Sequence, residues 1–158
     1  MLLLRYSNIL SGLFHEKVIV CESDYDCLFY QAVMDAVYEL NGKSSPNVLF
    51  THCGGKSRVK DVINALRSVN VPVAAICDFD LLNSSQDFKA IVSSLGINWS
   101  TSLESDMKII YETVNGKNSK EKNEWANLKC LGKYGLKGDA PRAYEKVEAV
   151  CQSAGLFI

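Results

Sequence analysis

The sequence predicts an α/β fold with a mainly parallel sheet flanked by helices, and two patterns carry that expectation. Short β-branched or apolar runs at 17–21, 48–50 and 73–77 alternate with segments of helical periodicity, the signature of strands joined by right-handed helical crossovers. Each run also ends on acids or glycines: Glu22 after the first, Gly54-Gly55-Lys56 after the second, Asp78 and Asp80 after the third. In a parallel sheet these three ends meet at one edge, where open α/β sheets place their ligands. The size permits it, since 158 residues with 47% hydrophobic and 22% charged suffice for one domain with a full core.

Residues 1–16 are expected to form an N-terminal helix or a linker from a preceding region, with Leu2, Leu3, Tyr6, Ile9, Leu10 and Leu13 at helical spacing. The domain proper is expected over 17–158. Lys17-Val18-Ile19-Val20-Cys21 is β-branched and reads as the first strand. Asp24 is the expected N-cap of a long helix that reaches Leu40 and is closed by Asn41-Gly42. Leu28, Phe29, Ala32, Val33, Ala36, Val37 and Leu40 form its expected buried face. A strand at 48–50, a glycine loop and a helix at 57–69 make a βα unit. The run at 73–77 is apolar throughout, as a strand buried on both faces requires. Helices are expected at 87–95 and 103–114, with a short strand at 97–100 between them.

The polar run 115–123 reads as a loop, and 125–134 shows no clear periodicity. Pro141 stands where the first position of a last helix is expected, and Gly155 ends that helix. Leu156-Phe157-Ile158 then begins a further strand, so a C-terminally truncated domain from a longer parent is expected.

Composition narrows the function classes. A net charge of −1 gives no global basic footprint, so any nucleic-acid surface has to be local. Six cysteines with no C-x-x-C pair and no zinc spacing point to reduced thiols and a cytoplasmic protein. The N-terminal apolar stretch is broken at Arg5, Ser7 and Asn8 without a small-residue cleavage site, which argues against a leader. No stretch approaches the roughly 18 apolar residues of a membrane span, so no membrane partner is expected.

The chemistry resides in the acids. Glu22, Asp78 and Asp80 at neighbouring strand ends make the oxygen-rich cluster that hard divalent cations require. Asp26, four residues after Glu22, would sit one helical turn on and could face the same site. A lone acid in such a place is more often a helix cap; Glu-x-x-x-Asp together with Asp-x-Asp favours metal. Gly54-Gly55-Lys56-Ser57 lacks the first glycine of a nucleotide-binding P-loop, whose place Phe50 takes. Lys56 and Arg58 are therefore read as contacts to DNA phosphates, with a plain tight turn the rival reading. His52 is read as structural, and Trp99 and Trp125 as core or interface anchors.

Val18-Ile19-Val20-Cys21-Glu22-Ser23-Asp24-Tyr25-Asp26, followed by Ala74-Ala75-Ile76-Cys77-Asp78-Phe79-Asp80, resembles a Toprim domain, the catalytic fold of topoisomerases, bacterial primases and OLD (overcoming lysogenization defect) nucleases. The spacing from Glu22 to Asp26 and the later Leu103-Glu104-Ser105-Asp106 are most similar to the OLD type. Ser23 departs from the glycine that usually follows the glutamate. The resemblance implies a Toprim/Rossmann-like fold and Mg²⁺- or Mn²⁺-dependent cleavage of DNA. Two cations about 3.5–4 Å apart can stabilise the attacking and leaving oxygens of an in-line displacement.

On this reading Asp78 and Asp80 hold one metal, with Glu22 as a further ligand or general base. Asp26 and Glu104 hold the second, with Asp106 in reserve. A catalytic lysine, as OLD-type nucleases use, would be Lys133 or Lys137. The implied partners are DNA and the ATPase domain of a larger parent, with a homo-oligomer an open option and phage defence the suggested setting. Two rival readings are a catalytically degenerate Toprim that only binds, and a priming or strand-passage module. The second lacks an accompanying nucleophilic-tyrosine domain or zinc ribbon.

Overall fold

The computed structural model describes residues 7–114 and 132–158. The start of the N-terminal segment, the polar run 115–123, Trp125, Cys130 and the rest of the stretch before Gly132 lie outside the described residues. The chain divides into two compact units, one reaching Cys77 and the other beginning at Asp78.

The first unit contains a 3₁₀ helix (Ser7–Phe14), β1 (Lys17–Cys21), α1 (Asp24–Leu40), β2 (Val48–His52), α2 (Lys56–Ser68) and β3 (Val73–Ile76). β1 is central and pairs in parallel with both neighbours, Ile19 lying opposite Phe50 on one side and Ala74 on the other. Its Val18 and Val20 are fully buried, as are Val59, Val62, Ile63 and Leu66 of α2. That is the i, i+3, i+4, i+7 stripe of a helix packed on a sheet. The segment before β1 is a 3₁₀ helix. Gly12 explains its position, since a Cβ there would stand 2.8 Å from Val18 Cγ2 and 3.2 Å from Leu66 Cδ2.

The start of α1 differs from expectation. Ser23, not Asp24, is the N-cap: Ser23 Oγ accepts from the Asp26 N–H at 3.3 Å, and Asp26 Oδ2 accepts from the Ser23 N–H at 2.9 Å and from its hydroxyl at 2.7 Å. This reciprocal capping box satisfies two backbone donors that the helix leaves open. Ser23→Ala is expected to lower stability by about 0.5–2 kcal/mol, read from the denaturant midpoint. The helix ends in a Schellman turn at Gly42 (φ 63°), with Lys43 N–H donating to Tyr38 O and Gly42 N–H to Glu39 O, both at 2.9 Å.

The phase of α1 is the larger correction. Cys27 is its one buried residue, and Tyr30, Gln31, Met34 and Tyr38 are half-buried on the same side. The stripe expected to be buried, from Leu28 to Leu40, faces outward instead. The cap and the crossover from β1 fix the rotation of the helix about its axis. The apolar pattern alone cannot tell which of two faces meets the sheet.

The second unit contains a 3₁₀ turn (Phe79–Asn83), α3 (Ser85–Ser94), α4 (Thr101–Val114), a second 3₁₀ turn (Gly132–Gly135), α5 (Ala140–Ser153) and β4 (Leu156–Phe157). α4 packs on α5, and Phe88, Ile91, Ile110, Val147 and Leu156 are fully buried. The strand expected at 97–100 is absent. Ile97 N–H is used in the turn that closes α3, donating to Val92 O at 3.1 Å, while Ser100 Oγ accepts from Leu103 N–H at 3.1 Å to cap α4. Those four residues are thus a cap-to-cap connection with no ladder to join. Trp99 packs edge-on against Phe88, ring centroids 6.0 Å apart. Pro141 occupies the second position of α5 rather than the first, because the helix opens at Ala140. In the first unit the strands form a parallel sheet in the order β2-β1-β3 flanked by helices, so the α/β class is as expected.

Candidate metal centre

Strand register accounts for the meeting of the acids. β1 and β3 pair in parallel with Val20 opposite Ala75, so two residues further on Glu22 comes level with Cys77, beside Asp78. Asp78 leaves the strand in extended conformation and precedes the 3₁₀ turn that holds Asp80. Leu81 N–H donates to Asp78 O at 2.9 Å, closing that turn. β3 itself ends at Ile76, so both acids belong to the segment after the strand. One carboxylate oxygen from each of Glu22, Asp78 and Asp80 lies within 4.8 Å of the others; Glu22 and Asp80 are half-buried and Asp78 is exposed.

Three carboxylates this close repel one another unless a cation neutralises them. Their donor atoms are all hard oxygens, which suit Mg²⁺ or Mn²⁺ and not the softer metals that prefer thiolate or imidazole. The neighbouring thiols do not alter that donor set. Burial first, then the adjacent Cys27, holds the Cys21 thiol far above its ordinary pKa. Burial and the charge of Glu22 raise Cys53 as well. Both stay protonated and so are poor ligands. The described cysteines, Cys21, Cys27, Cys53, Cys77 and Cys151, are all free and buried.

The glycine loop is tied to the same corner. Gly55 N–H donates to Glu22 O at 3.0 Å, and Cys53 N–H donates to Cys21 O at 3.3 Å. Gly55 holds φ at 126°, a region open to glycine and few other residues. Lys56 then opens α2, half-buried, and Arg58 is exposed two residues later in the same first turn.

The other predicted site residues fall elsewhere. Asp26 serves the capping box beside Glu22. Glu104 is exposed in the first turn of α4. Asp106, on the same helix, is buried and accepts from Lys146 Nζ at 3.4 Å. Among the described residues, the oxygen cluster comprises Glu22, Asp78 and Asp80 and does not include these three.

Lys133 pairs with Glu148, 3.2 Å from Nζ to Oε1, and its ammonium stands 6.0 Å from the centre of the Tyr144 ring. That ring lies 5.8 Å from the ring of Phe79, the residue between the two aspartates. Lys133, Tyr134, Leu136, Pro141, Tyr144 and Glu145 line a cavity of about 290 Å³. Lys137 is exposed beyond the turn. The aromatic link from Phe79 to Tyr144 and the Glu148 partner had no signal in the sequence, because each joins residues of unremarkable type far apart in the chain. No helix among the described residues is long and apolar enough to cross a membrane.

Comparison with known proteins agrees with this geometry. The family described as the overcoming lysogenization defect protein-like Toprim domain matches residues 13–80. That segment holds β1 to β3 and all three clustered acids. No curated protein and no solved structure gave a match. Residues 13–80 of this chain are thus similar to the Toprim domain of OLD-like proteins.

Proposed function

We propose that the chain is a metal-dependent DNA endonuclease that hydrolyses phosphodiester bonds, the nuclease portion of a larger cytoplasmic ATPase-nuclease acting in phage defence. The observation that carries this reading is the three-carboxylate cluster inside an OLD-like Toprim segment. Asp78 and Asp80 hold a divalent cation, Mg²⁺ or Mn²⁺, and Glu22 either completes its oxygen ligands or takes the proton from the attacking water. Bound there, the cation supplies neutralisation of the charge that builds on the phosphate. Asp26 and Glu104 are the acids proposed for a second ion, with Asp106 held in reserve. Lys56 and Arg58 place cationic side chains on the first turn of α2, where they grip the DNA backbone.

Lys133 is proposed over Lys137 as the lysine that neutralises transition-state charge, because its ammonium lies on the aromatic pair that reaches Phe79. Nicking of supercoiled plasmid tests the reading. The chain should nick DNA with Mg²⁺ or Mn²⁺ and stop when the metal is chelated. Lys133→Ala should slow nicking by about 10²–10³-fold, whereas Lys137→Ala should leave it within a few-fold. Equal losses from both variants would remove Lys133 from this role. Failure of Mn²⁺ to bind the wild-type chain in calorimetric titration would turn the reading to a degenerate, binding-only Toprim.

A further inference from the structure

We propose that the cavity beside Lys133 receives one unpaired DNA base, so that the substrate is single-stranded or locally opened DNA; the choice of DNA rests on the nuclease reading. The cavity measures about 290 Å³, at the lower bound of small-molecule sites and on the scale of a single nucleoside. Its walls divide by chemistry. Leu136 is buried and Pro141 half-buried, which gives an apolar floor. Tyr144 is buried and its hydroxyl donates to the Ile158 carbonyl oxygen at 3.2 Å, so it offers the cavity ring surface and not an O–H. Tyr134 is 86% exposed in the 3₁₀ turn between Gly132 and Gly135 and lines the same cavity. An exposed aromatic beside a lysine is the pairing that grips single-stranded nucleic acid, the base stacking on the ring and the ammonium meeting the phosphate.

Two carboxylates argue for a base and against a simple anion. Glu148 pairs with Lys133 at 3.2 Å, and Glu145 lines the cavity. A free phosphate or an acidic peptide would meet both negative charges. A base is neutral and carries N–H donors on its pairing edge, which a carboxylate accepts. In a duplex that edge is already occupied, so the base has to be unpaired. Position agrees with this occupant. The Tyr144 ring lies 5.8 Å from that of Phe79, and Phe79 stands between Asp78 and Asp80 in the chain. A strand held in the cavity therefore lies beside the turn that carries both aspartates.

Binding of a short oligothymidylate in the presence of chelator, followed by fluorescence anisotropy, tests the proposal. The wild-type chain should hold this strand more tightly than a blunt duplex of the same length. Tyr134→Ala should weaken strand binding by about 5-fold or more, while Tyr134→Phe, which keeps the ring, should stay within about 2-fold of wild type. An all-abasic strand with the same phosphates should bind the wild-type chain more weakly by a similar factor. Equal binding of oligothymidylate by the wild-type and Tyr134→Ala chains overturns the proposal. So does equal binding of the abasic strand, or a preference for the duplex. The two readings fail separately. Base-dependent strand binding without metal-dependent nicking would remove the nuclease and keep the cavity's role; nicking with no Tyr134 effect on strand binding would do the reverse.

Discussion

Asp80→Ala is expected to reduce metal-dependent DNA nicking by at least about 10²-fold and to abolish the corresponding Mn²⁺ binding, with Asp78→Ala and Glu22→Ala close behind. The physical reason is the crowding of the three carboxylates within 4.8 Å. Each contributes a donor that a divalent cation needs, and each is held near its neighbours by strand register or by the turn that follows, not by contact with the cation. Removing one therefore damages the site without damaging its frame. Stability in the presence of chelator should stay within about 1 kcal/mol of wild type, since a surface-reaching acid leaves no cavity behind. Plasmid nicking, calorimetric titration with Mn²⁺ and thermal melting, measured on the same preparations, check the three statements together. Full cleavage surviving any two of the substitutions would show that these acids are not the catalytic centre. A large loss of stability would show that they are structural.

The second large effect lies in the core of the first unit. Leu66→Ala is expected to cost about 2–5 kcal/mol, the transfer of the lost side chain plus the cavity it leaves. Leu66 is fully buried on the inner face of α2, and its Cδ2 lies against Gly12, the point where the N-terminal 3₁₀ helix crosses Val18. The gap cannot close easily, because Gly12 has no side chain to swing in and Val18 is held in the central strand. Whole domains are commonly stable by only about 5–15 kcal/mol, so one such change removes a large share. A urea midpoint that falls with an unchanged slope would confirm a simple loss of packing. A drop below about 1 kcal/mol would mean that the 3₁₀ helix collapses into the space.

Much of the fold and the heart of the site were legible in the sequence. β-branched runs marked β1 and β2, an apolar run marked β3, and the acids at the strand ends marked the cluster, because strand patterning and the parallel crossover rule act locally. Three readings failed for a shared reason. Ser23 looked like a departure from a glycine, and it became the cap that fixes α1. Asp24 has a capping residue's chemistry, but Ser23 Oγ stands where the Asp26 N–H needs an acceptor. Residues 97–100 are β-prone, but Ile97 N–H closes the turn after α3 and Ser100 Oγ caps α4. The apolar stripe of α1 was clear, but periodicity has no means of choosing between two faces.

Amino-acid sequence by itself determined the alternation of strands and helices and the identity of the three acids, since both depend on residues within a few positions of one another. Tertiary structure alone decided two other matters: that Lys133 stands beside the ring of Tyr144 and pairs with Glu148, and that α1 turns its apolar stripe outward. Each of these rests on register, rotation or packing between segments distant in the chain, and such relations are settled when the whole core is buried at once.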